Sequence, residues 1–219
     1  MTSRHGLFLA FEGVEGAGKS TQVERLAEHL RRLGRTVVVA REPGSTPLGE
    51  RIRSLVLDEN ELGVPARSEL FLMLAARAAF VDRVVAPGLA RGEVVIADRF
   101  ELSTLAYQGA GRGLPVEEIR RSNGFATSGI APHATVLLEL EPEEGARRQL
   151  AAAKRRDRME REDPEFHRRV AAGYNELAAS VAGVCRVDAR GSVDEVGVRV
   201  LQTLSSRFPE TFDNSGFIR

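Results

Sequence analysis

Eight residues, Gly13-Val14-Glu15-Gly16-Ala17-Gly18-Lys19-Ser20, fit the pattern GxxxxGK[ST]. Their types are those needed to grip a polyphosphate. The glycines let the backbone turn tightly, so that its N–H groups point inward at a β-phosphate. A helix N-terminus behind the loop adds a favourable dipole. Lys19 would reach the β- and γ-oxygens, and the Ser20 hydroxyl, followed by Thr21, would ligate Mg²⁺. The bland alternative is a glycine-rich turn between a strand and a helix. The apolar run Leu7–Phe11 lies before the loop, and Val23, Leu26, Ala27 and Leu30 follow it at helical spacing. That strand–loop–helix context is the one the motif requires.

Further charged residues stand where other apolar runs end. Arg41-Glu42-Pro43-Gly44 follows Thr36–Ala40, and Asp98-Arg99-Phe100 follows Val94-Val95-Ile96-Ala97. In an open α/β sheet the ligand crevice lies at the carboxyl ends of the strands, so both segments should converge on the phosphate loop. Asp98 is placed to hold Mg²⁺ directly or through water. Arg99 is suited to clamp a phosphate, because a guanidinium binds oxyanions bidentately. The competing reading of Asp98-Arg99 is a surface ion pair. The segment Lys154-Arg155-Arg156-Asp157-Arg158-Met159-Glu160-Arg161-Glu162-Asp163 has no apolar period. It reads either as a solvated helix face or as a mobile lid that brings an arginine to a phosphate.

Positioning these groups takes alternating strands and helices. Strands are expected at Leu7–Phe11, Thr36–Ala40, Glu93–Ala97, Ala134–Leu140 and Val184–Val187. Helices are expected at Thr21–Leu33, Leu48–Leu57, Ser68–Ala90 with a break near Ala86 before Pro87, Glu101–Gln108, Pro115–Phe125, Pro142–Ala153, Glu165–Ala182 and Val193–Ser206. Continuous apolar strands alternating with helices indicate an α/β fold, a doubly wound five-stranded parallel sheet of the P-loop NTPase type flanked by helices. One domain over residues 1–219 is expected, with a lid at about 150–163 and an irregular tail at 208–219. The chain has 31 basic and 31 acidic side chains and no formal net charge, which speaks against a polynucleotide partner. One cysteine, Cys185, cannot form an internal disulfide, which fits a reducing compartment, and it reads as a buried thiol. Scattered histidines exclude a familiar zinc spacing. The chain lacks an apolar run of membrane-spanning length, so a cytoplasmic protein without membrane partners is expected. A guanine-reading NKxD is absent, which lowers a GTPase reading.

GVEGAGKST (Gly13–Thr21), REPG (Arg41–Gly44), DRFELSTLAYQG (Asp98–Gly109), DRME (Asp157–Glu160) and VDA (Val187–Ala189), in this order, resemble bacterial thymidylate kinase. The likeness runs from about Leu7 to Ser206. It implies phosphorylation of dTMP to dTDP by Mg-ATP, both small-molecule substrates, within dTTP biosynthesis, by a homodimer. It further implies that Glu15 sits near the deoxyribose 3′-hydroxyl. Arg53 and Arg99 hold the dTMP phosphate, and Arg77 bonds thymine O4. Gln108 reads the thymine edge, and Tyr107 packs under the sugar where a 2′-hydroxyl would crowd it. Ser103 supports the base-binding end, and Glu42 and Asp98 join the phosphate and Mg²⁺ network. Met73 departs from the pattern, in which an aromatic usually stacks on thymine. A thioether packs against a flat ring as well, whereas core packing is its alternative role. Phe71, two positions away, belongs to another face of the helix.

In this family the charge-neutralising arginine sits either in the P-loop or in the lid. Here the P-loop position is Gly16, so the lid must provide it. Arg148, Lys154, Arg155, Arg156 and Arg158 are available, with Arg155 and Arg158 preferred. Val187–Ser192 would touch the adenine. Two alternatives stay open at this level: a kinase for another nucleoside or nucleotide, and a nucleotide-binding switch without phosphoryl transfer.

Overall fold

A computed structural model of the chain describes residues 5–58, 63–151 and 157–212. Strands β1 (Leu7–Glu12), β2 (Val37–Arg41), β3 (Val94–Asp98), β4 (Ala134–Glu139) and β5 (Val184–Asp188) form one parallel sheet in the order β2-β3-β1-β4-β5. Every residue of β1 is buried, as a central strand covered on both faces must be. Leu7, Leu9 and Phe11 pack on one side with Val23, Leu26 and Leu30 of α1 (Lys19–Arg32) and with Val200 and Leu204 of α9 (Val193–Arg207). Phe8 and Ala10 face the other side, against Phe80 of α3 (Ala66–Phe80) and Phe100.

The remaining helices are α2 (Pro47–Arg53), α4 (Ala86–Ala90), α5 (Glu101–Thr104), α6 (Val116–Ala126), α7 (Pro142–Ala151), α8 (Pro164–Leu177) and α10 (Pro209–Phe212). A third cluster joins α3 and α8 through Leu70, Leu74, Phe166, Val170 and Tyr174. Strand ends differ from the sequence expectation by about one residue.

Helix ends depart further, with identifiable causes. Three expected helices carry π-helical turns, at Ser54–Asp58, Val81–Val85 and Leu105–Gly111. The second answers the expected break. Pro87 offers no N–H to the carbonyl four residues back and its ring crowds it, so the widened turn before it carries the helix past. The third runs through Gly109–Gly111, which the sequence reads as the start of a loop, and it buries Tyr107 and Gln108. Beyond the last expected helix, α10 is one helical turn at the start of the segment expected to be irregular. Cys185 is half-buried on edge strand β5 rather than fully buried.

Register explains why the separated motifs meet. Phe11 pairs with Asp98, and Asp98 pairs with Arg41. The loops that leave β1, β2 and β3 therefore open side by side at one carboxyl edge. The chain leaves β1 for a strand on one side of it and later crosses to β4 on the other, so the phosphate loop lies at the switch point of the sheet.

Candidate active site

The loop after β1 wraps toward the N-terminus of α1. Gly16 has φ +74°, and a Cβ there would lie 2.2 Å from the carbonyl oxygen of Gly145 at the start of α7. Both its conformation and its surroundings therefore demand glycine, and no side chain fits at this position. Lys19 is buried, and its Nζ donates to the carbonyls of Gly13 at 3.0 Å and Val14 at 2.9 Å. Burial, then the nearby Arg99 charge, pulls the Lys19 pKa below the ordinary lysine range. The Ser20 hydroxyl donates to Asp98 Oδ2 at 2.5 Å. These are two hard oxygen donors beside a phosphate loop, and Mg²⁺ takes one or two such protein ligands and completes its octahedron with phosphate and water. The pair therefore fits that ion. Among the described residues no cluster of three or more His, Cys, Asp or Glu side chains forms a dedicated metal cage.

Arg99 occupies the left-handed region at φ +77°. For a residue with a side chain that conformation costs of order 1–3 kcal/mol, and the contacts made by the guanidinium hold it. Arg99 donates to Ser103 Oγ at 3.1 Å and Tyr174 Oη at 2.9 Å, pairs with Glu15, and lies over the Tyr107 ring at 5.2 Å. Tyr107 Oη donates to Glu15 Oε1 at 2.8 Å. Burial pushes the Glu15 carboxyl up, but Arg99, Lys19 and the Tyr107 hydroxyl outweigh it and hold it at about 2.

The folded pKa of Glu15 thus lies below the unfolded value of roughly 4.3. A depressed carboxyl contributes stability that is present in full above the unfolded value and is lost as pH falls through the folded one. Urea midpoints of the wild type and Glu15→Gln should therefore differ most near neutral pH and converge between about pH 4 and about pH 2. A constant gap across that range would contradict the assignment.

At the far end of the same cleft, Arg77 is buried and pairs with Glu42 at 2.7 Å. Its Nε donates to Glu42 at 2.8 Å, and its Nη1 donates to Thr104 Oγ1 at 2.9 Å and Asn123 Oδ1 at 2.8 Å. These contacts with described residues engage four of its five N–H groups, leaving one Nη2 hydrogen for a ligand acceptor. Glu42 Oε1 is buried without a described partner, and burial raises this carboxyl's pKa although Arg77 opposes it. Gln108 Nε2 donates to Glu69 Oε1 at 2.9 Å. Arg53 donates to the Pro43 carbonyl at 3.0 Å. Met73 lines the cleft, while Phe71 on the other face of α3 is 63% exposed.

One cleft of about 770 Å³ holds both ends, toward the upper end of the roughly 300–1,000 Å³ of small-molecule sites. The loop residues 16–22, Ser192 and Val193 line one part, and Arg53, Met73, Arg77, Tyr107 and Gln108 line the other. The structure also assembles residues that the sequence left unmarked. Glu12 is fully buried and accepts from Phe100 N at 2.7 Å, Ser103 N at 3.0 Å and Ser103 Oγ at 2.5 Å. It caps the segment carrying Arg99. Its signal was available: an acid ending an otherwise apolar strand. Tyr174, Asn123, Thr104 and Glu69 carried no such signal, because their partners are distant in sequence. Ser103, which lines the cleft, binds Glu12, Tyr174 and Arg99.

The two preferred lid arginines fare differently. Lys154, Arg155 and Arg156 lie outside the described residues. Arg158 does not line the cleft; it donates to the Val56 carbonyl at 2.6 Å and pairs with Glu69. Arg148 does line the cleft, where it donates to the Ala189 carbonyl at 3.1 Å.

Comparison with known proteins yields one consistent result. A family model described as thymidylate kinase matches residues 11–200. The thymidylate kinase of Synechococcus sp. (strain JA-2-3B'a(2-13)) is 48% identical over 204 residues, 93% of this chain and 96% of that protein. That of Deinococcus radiodurans is 45% identical over 205 residues, 92% and 98% of the two chains. A crystal structure of thymidylate kinase from Ehrlichia chaffeensis superimposes with a TM-score of 0.75 at 28% identity, covering 91% of this chain and 99% of that one.

Proposed function

This chain belongs to the thymidylate kinase family, and from that premise we propose that it carries the γ-phosphoryl of Mg-ATP to the phosphate of dTMP, giving dTDP and ADP. It is a dTMP kinase by its relatives. The observation that supports the finer reading is the two-ended cleft: a phosphate loop at one end, Arg53, Arg77 and Gln108 at the other, and Arg99 joined to the loop through Glu15. A nucleotide switch has no use for a second anion site.

The acceptor oxygen of a nucleoside monophosphate is already anionic near neutral pH, so no strong base is required. Catalysis is positioning and charge neutralisation. The backbone of Gly13–Thr21 and the ammonium of Lys19 hold the donor phosphates. Ser20 and Asp98 would hold Mg²⁺, whose chemistry here is to neutralise charge between donor phosphates. Arg53 and Arg99 orient the acceptor phosphate. Tyr107 lies against the sugar and Met73 against the base. Arg77 donates to thymine O4.

A lid over about 150–163, within one kinase domain spanning 1–219, excludes water and adds an arginine. Gly16 leaves no room for a P-loop arginine, and Arg158 is engaged with Glu69. That leaves the role to Arg155 of the lid or to Arg148 of α7 just before it, which lines the cleft. The adenine lies near Gly191–Val193. The working protein is a homodimer, for which exposed Phe71 on α3 supports an interface. It acts in the cytoplasm; among the described residues no helix is long and apolar enough to cross a membrane.

The test is ADP formation from Mg-ATP with dTMP, dUMP, dCMP, UMP, CMP and AMP as acceptors. Fast turnover with dTMP, slower with dUMP and little with the rest is expected. Preference for another monophosphate would overturn the base-pocket roles.

A further inference from the structure

Glu69 sits in the first turn of α3 and is fully buried. Its carboxylate accepts from Gln108 Nε2 at 2.9 Å and from Arg112 at 3.2 and 3.1 Å, and it pairs with Arg158. Burial raises its pKa, but Arg112, Arg158 and Gln108 together bring it below the ordinary carboxylate range. A carboxylate in that state has no proton to donate. The amide of Gln108 must therefore turn its NH₂ toward Glu69 and its carbonyl oxygen the other way. Gln108 lines the cleft, and its Oε1 has no partner among the described residues.

We propose that Glu69 is a positioning residue that locks the Gln108 amide with its acceptor facing the base, and so selects a ring that offers an N–H at that point. This rests on the proposed base-reading role of Gln108. With the remaining Arg77 donor, the pocket presents one donor and one acceptor. Thymine and uracil supply the complement, a carbonyl O4 and an N3–H. Cytosine presents an amino group to the arginine and an N3 lone pair to the carbonyl oxygen, so both contacts become repulsive. An amide free to rotate by 180° would serve either ring, because its two ends differ only in hydrogen-bonding sense. The specificity therefore lies in Glu69 as much as in Gln108. Arg112 and Arg158, the latter from the lid segment itself, keep Glu69 ionised.

The test compares kcat/KM for dUMP and dCMP, since neither carries the 5-methyl group and the ratio isolates the hydrogen-bonding edge. In Glu69→Gln the partner can donate or accept, so the lock is removed while the shape is kept. The dUMP/dCMP ratio should fall by roughly 10–100-fold, the effect of a buried polar edge changing from paired to unpaired. Gln108→Leu should lower the ratio similarly, and the double substitution should do no more than Gln108→Leu alone, because the two act through one contact.

If Glu69→Gln is too unstable to assay, Glu69→Gln combined with Arg158→Gln removes one anion and one cation together and should give the same fall. A lower rate with every acceptor at an unchanged ratio, in a variant that keeps its circular dichroism spectrum, would assign Glu69 a structural role only and overturn the proposal. A ratio unmoved by Gln108→Leu would instead overturn the base-reading role of Gln108. A ratio that falls in Gln108→Leu but not in either Glu69 variant would sink the lock alone.

Discussion

Lys19→Met is expected to lower kcat by about 10³-fold, the loss found when a preorganised positive group aimed at the transferring phosphoryl is removed. Its ammonium donates to two loop carbonyls, at 3.0 and 2.9 Å. In the proposed reaction this donor would exchange carbonyl acceptors for β- and γ-phosphate oxygens. Methionine keeps the length and the buried stem, so packing around α1 is retained while the charge is lost.

Lys19 is buried, and burial together with Arg99 lowers its pKa. The substitution therefore also relieves a desolvated cation, and the folded state should not be weakened. The discriminating measurement pairs single-turnover rates with a thermal midpoint. A rate within tenfold of wild type would remove Lys19 from the chemistry. A large rate loss with an unfolded variant would say nothing specific, which is why the midpoint must be held.

Local signals made most of the scaffold legible. Strands Leu7–Phe11 and Val94–Ala97 are uninterrupted apolar runs, and a run without polar alternation has one use, burial on both faces of a parallel sheet. The loop GVEGAGKS was legible because its glycines, lysine and serine are fixed by one local geometry. What stayed hidden depends on contacts distant in sequence. The Glu12–Ser103–Tyr174 network spans up to 162 residues. Nothing around Tyr174 sets it apart from a core residue of an amphipathic helix. The partner of Arg158 was equally hidden. The arginine's place in a charged run resembles a lid residue, but Glu69, buried in a helix that reads as apolar, is where its charge goes. The π-helical turns were invisible for a related reason: a turn widened by one residue leaves the helical period of its surroundings almost unchanged.

Replacing Arg99 by methionine should lower kcat/KM for dTMP by roughly 10²–10³-fold, the cost of deleting one partner of a desolvated charge contact, and should leave ATP affinity nearly untouched. Arg99 is tied to four separate elements. Its backbone N–H donates to Phe11 O at 2.9 Å, at the end of β1. Its side chain meets Ser103, Tyr174 of α8, and Glu15 of the phosphate loop. It also keeps a left-handed backbone.

Pairing with Glu15 does not satisfy all five donors of a guanidinium, and a phosphate offers bidentate acceptors at higher charge than the tyrosine and serine hydroxyls it would displace. Arg99→Lys is the informative companion. It restores the charge but not the fork, so it should recover only part of the loss. Full recovery by lysine would show that charge alone matters and that the left-handed backbone and its planar side chain are incidental. An unchanged kcat/KM in Arg99→Met would move acceptor binding to Arg53, whose guanidinium donates to the Pro43 carbonyl at 3.0 Å.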